Sequence, residues 1–370
     1  MNKKKVLVVF GTRPEYIKLF PVIRELKGRS WADPFFVLTG QHRDLVEETI
    51  EEIGIYPDIT FDAIKHGRGH ANSSMSYIIG VLDDAIAAFK PDMVVVQGDT
   101  TSAIAGAISA FNNNIKLLHT EAGLRTYSKE PYPEEANRQM ISRITDINCC
   151  PTEHSAEILS GEKVNGTICV TGNTEVDAAF YALDNYIPKK HYGSSDNRTS
   201  ILVTLHRREN IGLPMVNAYR ELIALAEKFP LDIVVTKHPN PNVSAIIEEE
   251  LEDVELGFDS SIVVSDPMDF VSFIHQVVDS DIVITDSGGV QENTSALGVP
   301  VVVFRESTAR SENPDSYVLS GTERGSLFDA ACILLKDSVK YDKMAKAECP
   351  FGDGSAAKQI VDIIEEALCT

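Results

Sequence analysis

Short, uninterrupted apolar runs alternate with amphipathic stretches along most of the chain. VLVVF (6–10) precedes a predicted helix near 15–27, FFVL (35–38) one near 43–53, and MVVVQ (93–97) one near 102–112. IKLLH (115–119) leads through a loop to a helix near 134–146, and INCC (147–150) and TICVT (167–171) continue the alternation. Runs that are apolar at every position, not every second one, predict strands covered on both faces, as in a parallel sheet between layers of helices. Residues 186–199, YIPKKHYGSSDNRT, interrupt the pattern with polar residues, Pro, Gly and Ser, and read as a linker. The alternation then restarts. SILVTLH (200–206), DIVVTKH (232–238), SIVV (261–264), DIVIT (281–285) and PVVVF (300–304) are separated by predicted helices near 214–229, 243–252, 268–278 and 289–297. Helical patterns fill much of the remainder to residue 370.

This predicts an α/β chain of two Rossmann-like, doubly wound domains. A length of 370 residues is compatible with that count. Ligands of such sheets gather at the carboxyl ends of the strands, and with two domains the cleft between them is the expected site. Composition narrows the class. With 43% hydrophobic and 24% charged residues the chain is neither collagen-like nor wholly disordered. No apolar run reaches the ~18 residues of a membrane helix, and VLVVF is too short for a signal peptide, so the reading is a cytoplasmic protein with no membrane partner. The net charge of −21 argues against nucleic-acid binding, although a local basic pocket for a small anion remains compatible with it. The six cysteines form no CxxC pair and no zinc-type spacing with His, and read as reduced, mostly buried thiols with no metal.

Most of the informative polar residues follow a strand. In GTRPE (11–15), Gly11 allows a tight turn, Pro14 and Glu15 suit a first helical turn, and Arg13 is left for the cleft. QGDTT (97–101) sets Asp99 at a strand end, with Thr100 or Thr101 able to cap the next helix. HTEAGLRT (119–126) sets Glu121 in a like position, and PYPEEANR (131–138) opens a helix on Glu134 and Glu135. A helix start favours acids for dipole reasons alone; three acidic segments converging on one cleft would instead mark proton chemistry. In the second half LHRREN (205–210) offers a His and two Arg suited to a diphosphate, KHPNP (237–241) adds His238, and DSGGVQEN (286–293) opens a helix with Ser287, Gly288 and Gly289, whose N–H groups can approach an anion. Neither a Walker A motif nor a full GxGxxG occurs, which counts against ATPase and dinucleotide readings.

Taken together and in order, GTRPE, QGDTT, HTEAGLRT, PYPEEANR, TGNT, HRREN, HPNP and DSGGVQE resemble the non-hydrolysing UDP-N-acetylglucosamine 2-epimerases, over residues 6–305 and again at PFGDGSA (350–356). The resemblance implies a glycosyltransferase-B-like architecture. Its N-terminal domain would span 1–180 and carry the catalytic carboxylates, and a UDP-binding domain would span 181–352. A C-terminal helix, 353–370, would pack back on the first domain. It also implies a homodimer, no cofactor, and interconversion of UDP-GlcNAc and UDP-ManNAc by elimination of UDP and re-addition through 2-acetamidoglucal. The family's catalytic groups fall on Asp99, Glu121, Glu135 and His206, with the C2 base unassigned among the carboxylates. Its substrate contacts fall on Arg13, Lys18, Arg207, Phe273, Ser287, Gly288, Gly289 and Asn293. Some bacterial members hold a second UDP-GlcNAc as an activator, whose contacts would fall on Gln41, Arg68, His238 and Arg207.

The chain departs from the family pattern in places. Asn293 stands where the family has a ribose-gripping Glu. TTERPE reads STARSE (307–312), with Ala309 and Ser311 replacing Glu and Pro, and Asp44 replaces a Gln three places after Gln41. These changes leave open an epimerase of another UDP-HexNAc or a hydrolysing enzyme releasing ManNAc and UDP. A glycosyltransferase and a non-catalytic nucleotide-sugar binder are the readings from other classes.

Overall fold

The computed structural model describes residues 3–41, 43–67, 70–189, 192–193, 197–238, 240–252, 254–257, 259–308, 310 and 312–370. The chain divides into two compact units, Met1–Tyr181 with Phe351–Thr370, and Ala182–Pro350. The first division falls inside the helix Thr174–Asn185, upstream of the predicted 186–199 linker, part of which (190–191 and 194–196) lies outside the described residues.

The first unit is built on a seven-stranded parallel sheet. Its strands are β1 (Lys4–Phe10), β2 (Ala32–Leu38), β3 (Ile59–Thr60), β4 (Met93–Gln97), β5 (Lys116–Thr120), β6 (Ile147–Cys150) and β7 (Thr167–Val170), in the order β3-β2-β1-β4-β5-β6-β7. The second unit holds β8 (Thr199–Thr204), β9 (Leu231–Thr236), β10 (Ser261–Ser265), β11 (Ile282–Thr285), β12 (Val301–Val303) and β13 (Val318–Leu319), all parallel, in the order β10-β9-β8-β11-β12-β13. Each is a doubly wound Rossmann-like sheet, and the continuous apolar runs have the predicted cause. Val6, Leu7, Val8 and Val9 are fully buried, as are Val203, Ile233, Val235, Val283 and Ile284, because helices cover both faces.

The strand order positions the motifs. In each sheet the order reverses between the first strand and the fourth, at β1/β4 and at β8/β11, and the loops leaving those strands diverge there to leave room for a ligand. GTRPE and QGDTT are the loops at the first switch point, and LHRREN and DSGGVQEN those at the second. Gly11 serves a different purpose from the expected turn: a Cβ there would lie 2.0 Å from Ser102 Oγ and 2.2 Å from Thr39 Oγ1, so the glycine lets its loop pack closely on the end of β2 and on the first turn of the helix Thr101–Asn112.

Residues 351–370 return to the first unit. The helix Ala356–Cys369 buries Ile360, Val361 and Ile364 and packs on the helix Arg13–Gly28. Asp177 accepts hydrogen bonds from the N–H groups of Ala356 and Ala357 at its start (3.2 and 2.7 Å), and Arg29 pairs with Asp362 at 2.6 Å. Among the described residues no helix is long and apolar enough to cross a membrane. No disulfide joins the cysteines, and only Cys149, Cys150 and Cys332 are buried. Cys169 and Cys349 are half-buried and Cys369 is exposed at the end of the last helix, so burial is less general than expected.

Candidate active site

In the first unit three carboxylates predicted from separate segments come together. Glu121 follows β5 in the left-handed region (φ 59°) and is nearly buried. Lys18 Nζ, from the helix Arg13–Gly28, lies 2.8 Å from both of its oxygens, and the Gln97 amide at the end of β4 donates to Oε2. Asp99 sits on the next loop. Its Oδ2 is 3.0 Å from an Arg138 guanidinium nitrogen, and about a quarter of its side chain is open to solvent. Arg138, on the helix Glu134–Ile144, also lies 3.7 Å from Glu135, so it stands between the two acids.

The environments differ in a way that separates roles. Desolvation pushes the Asp99 carboxyl up to about 6. Arg138 opposes this, while the charges of Glu121 and Glu134 add to it. Burial also acts on Glu135, but donors outweigh it: the Gln139 amide (2.7 Å), the Thr126 N–H (3.0 Å), Arg138 and the Tyr127 N–H (3.2 Å) hold it below the ordinary carboxylate value. Glu134 is half-buried at the helix start. Glu15 is fully enclosed and pushed to about 7 by burial, against hydrogen bonds from Thr100 Oγ1 (2.6 Å), Thr12 Oγ1 (2.8 Å) and the Gly11 and Thr12 N–H groups (3.0 and 2.8 Å). It thereby ties the GTRPE loop to the QGDTT loop. Thr100 is the cap of the helix Thr101–Asn112, which frees Asp99 from capping. Arg13 is the first residue of its helix and half-buried. Gln41, an expected activator contact, accepts from the Ser102 N–H (3.1 Å) and Oγ (2.9 Å).

In the second unit Asp286 is the hub. Fully buried after β11, its carboxylate accepts from the N–H groups of His206 (3.1 Å) and Arg207 (2.9 Å) and from the Asn210 amide (3.0 Å), while its carbonyl accepts from Arg207 Nε (2.7 Å). The LHRREN loop is thus tied to the start of the helix Gly288–Leu297, where Ser287, Gly288 and Gly289 lead the first turn. Arg310 lies against that turn: a Cβ on Gly288 would be 2.8 Å from its Cζ, and its Nε donates to Glu292 at 2.7 Å. Arg305 joins them. Burial first, then repulsion by Arg207 and Arg310, pulls its guanidinium down to about 10. Crowded arginines beside a helix N-terminus have the charge and donors that suit an anion. The His206 ring stacks on His238, centroids 4.9 Å apart and planes 7° from parallel. Phe273 packs half-buried beside the core strands of this sheet, and Asn293 is buried on the helix Gly288–Leu297.

Sequence reasoning missed Gln97, Arg138, Asp286, Arg305 and Arg310 as site residues. Each stands inside or beside a quoted motif, but the partners that bring it into the site are set by tertiary contact. Arg68, Ala309 and Ser311 lie outside the described residues, as does the side chain of Asp44. Among the described residues no group of His, Cys, Asp and Glu is arranged to hold a metal ion.

Residues 24–365 match the family profile of UDP-N-acetylglucosamine 2-epimerase. A Campylobacter jejuni UDP-N-acetylglucosamine 2-epimerase is 37% identical, over 98% of this chain and 97% of its own. Its Bacillus subtilis counterpart is 36% identical, over 98% and 95%. Among solved structures, the UDP-GlcNAc 2-epimerase of Neisseria meningitidis bound to UDP-GlcNAc superposes with a TM-score of 0.89 at 35% identity, covering 98% of this chain and all of that one.

Proposed function

The chain belongs to the UDP-N-acetylglucosamine 2-epimerase family, and from that premise we propose that it interconverts UDP-GlcNAc and UDP-ManNAc without net hydrolysis. The C1–O bond to UDP and the C2–H bond break, the C1–C2 double bond of 2-acetamidoglucal forms, and UDP adds back to C1 as a proton reaches the opposite face of C2. The observation that carries this reading is the gathering of Asp99, Glu121 and Glu135 around Arg138 and Lys18 in unlike environments, which is what division of acid and base roles requires.

Asp99 is the group suited to exchange the C2 proton. It is partly open, and a value near 6 lets it take and return a proton near neutral pH. Glu121, paired with Lys18, is the second proton-handling candidate. Glu135 has donors on both oxygens and shapes the 126–127 backbone beside them. In the second unit the Gly288 helix start with Arg207, Arg305 and Arg310 would hold the diphosphate, stabilise UDP as a leaving group and retain it for return. His206 and Phe273 are proposed as further substrate contacts, and Asn293 as a neutral partner for a ribose hydroxyl. Gln41 and His238 are proposed contacts for a second nucleotide sugar.

Incubation with UDP-GlcNAc alone in heavy water is the test. The expected result is an equilibrium mixture of both UDP-sugars carrying deuterium at C2, with no added NAD. Accumulation of free ManNAc and UDP would mean a hydrolysing enzyme, reaction only with an acceptor a transferase, and no turnover a binding protein. Product in which C2 keeps its original hydrogen throughout would sink the proton-loss mechanism.

A further inference from the structure

Position 119 is a fully buried histidine in β5, a strand whose neighbouring Leu117 and Leu118 are apolar core residues. Burial, more than any charge nearby, depresses its imidazole to about 4, so at working pH the ring is neutral, with one donor and one acceptor nitrogen. Nε2 lies 2.7 Å from the Gly98 carbonyl. A carbonyl can only accept, so Nε2 carries the hydrogen and Nδ1 is the acceptor.

Gly98 immediately precedes Asp99 and lies in the left-handed region (φ 64°). Its N–H donates to the Thr120 carbonyl at 3.0 Å, so both its N–H and its carbonyl are tethered to β5. The Asp99 carbonyl accepts from the Asn137 amide at 2.8 Å. The backbone around Asp99 is therefore pinned while its carboxylate keeps an open edge. On the other side of the imidazole, Nδ1 has no hydrogen-bond partner among the described residues, and neither does either amide atom of Asn148, which is also fully buried. His119 and Asn148 are register partners on β5 and β6, so their side chains leave the sheet on the same face. Three buried polar atoms offer the two to four partners that an internal water requires, one that donates to Nδ1 and accepts from the amide.

We propose that His119 is a positioning residue for the reaction: through the Gly98 carbonyl it holds Asp99 in place, and a buried water shared with Asn148 holds the ring. This rests on the reading of Asp99 as a proton-handling group. A displacement of about 1 Å in a reacting group can cost 10²-fold in rate. His119→Asn, which cannot reach the Gly98 carbonyl, should lower kcat by about 10–100-fold with KM for UDP-GlcNAc within about twofold. His119→Gln, whose amide nitrogen reaches the Nε2 position, should recover most of the loss.

Nitrogen-15 NMR of the native protein should show this imidazole as the neutral Nε2–H tautomer from pH 8 to 5, and a high-resolution crystal structure should show a water bonded to Nδ1 and to the Asn148 amide. Both readings use the native protein and survive a variant that does not fold. An Nδ1–H tautomer, titration near 6.5 or a dry contact between the two side chains overturns the proposal. So does native-like kcat in His119→Asn beside a slow Asp99→Asn. Native-like kcat in both variants overturns the reading of Asp99, and the positioning role falls with it.

Discussion

Asp99→Asn is expected to lower kcat for epimerisation by about 10²–10⁴, the range for removing a general acid or base, while UDP affinity stays within about threefold. The amide keeps the shape of the side chain and a contact for Arg138 but cannot take a proton. The pH profile gives an independent reading. Desolvation raises the carboxyl to about 6, so below that value Asp99 holds its proton and cannot act as a base. kcat/KM for UDP-GlcNAc should therefore climb with pH up to about 6 and flatten above it, and the residual activity of the Asn variant should lack that limb. Turnover near that of the native enzyme, or an unchanged acid limb, would remove Asp99 from the chemistry. Glu121→Gln and Glu135→Gln are expected to be slow as well. Glu135→Gln should act through the 126–127 backbone that its oxygens hold.

Asp286→Ala should weaken the second unit by about 3–5 kcal/mol, as expected when an enclosed carboxylate that serves three donors is removed. The variant leaves the N–H groups of His206 and Arg207 and the Asn210 amide without their acceptor, and each orphaned buried donor costs about 1–3 kcal/mol. Asp286→Asn keeps one acceptor oxygen and should cost less. The single tryptophan, Trp31, is in the first unit, so its fluorescence will not report this change. Amide exchange in β8 and β11 will: their protection should fall by roughly 10²–10⁴ while that of β1 and β4 is unchanged. Undiminished protection in β8 and β11 would show that the loops hold without the carboxylate. Weaker UDP binding should accompany the loss, because the same carboxylate ties His206 and Arg207 to the Gly288 helix start.

Much of the architecture was readable from local pattern. β1, β4, β8, β9, β11 and β12 are built on continuous apolar runs with polar motifs at their carboxyl ends, because strands buried on both faces have little freedom in composition. The local pattern does not mark the helix Ala71–Phe89, even though Ile78, Leu82, Ala85 and Ile86 fall on one face. Its opening ANSSMS is uncharged, its cap residue His70 makes no side-chain cap, and Gly80 interrupts it, so start and middle look like loop. Composition alone does not mark the division between units, for the opposite reason. It falls within a regular helix, while the polar stretch 186–199 that resembles a linker lies after it. The motif carboxylates could be picked out because acids directly after apolar strands are conspicuous. The groups that differentiate them could not: Arg138 reads as an ordinary helix arginine, Asp286 as a helix-start acid and His119 as a core residue until the neighbouring strands are in place.

The return of residues 351–370 to the first unit has a consequence for biosynthesis. The second unit is one unbroken segment, Ala182–Pro350, and can complete its fold as soon as that segment has cleared the ribosome. The first unit begins first, yet the apolar side of the helix Arg13–Gly28 waits for Ile360, Val361 and Ile364, and the Asp177 carboxylate for the N–H groups of Ala356 and Ala357. The part translated earliest is therefore the last to be sealed, and during synthesis of some 170 intervening residues it is a nascent domain with an uncovered apolar seam.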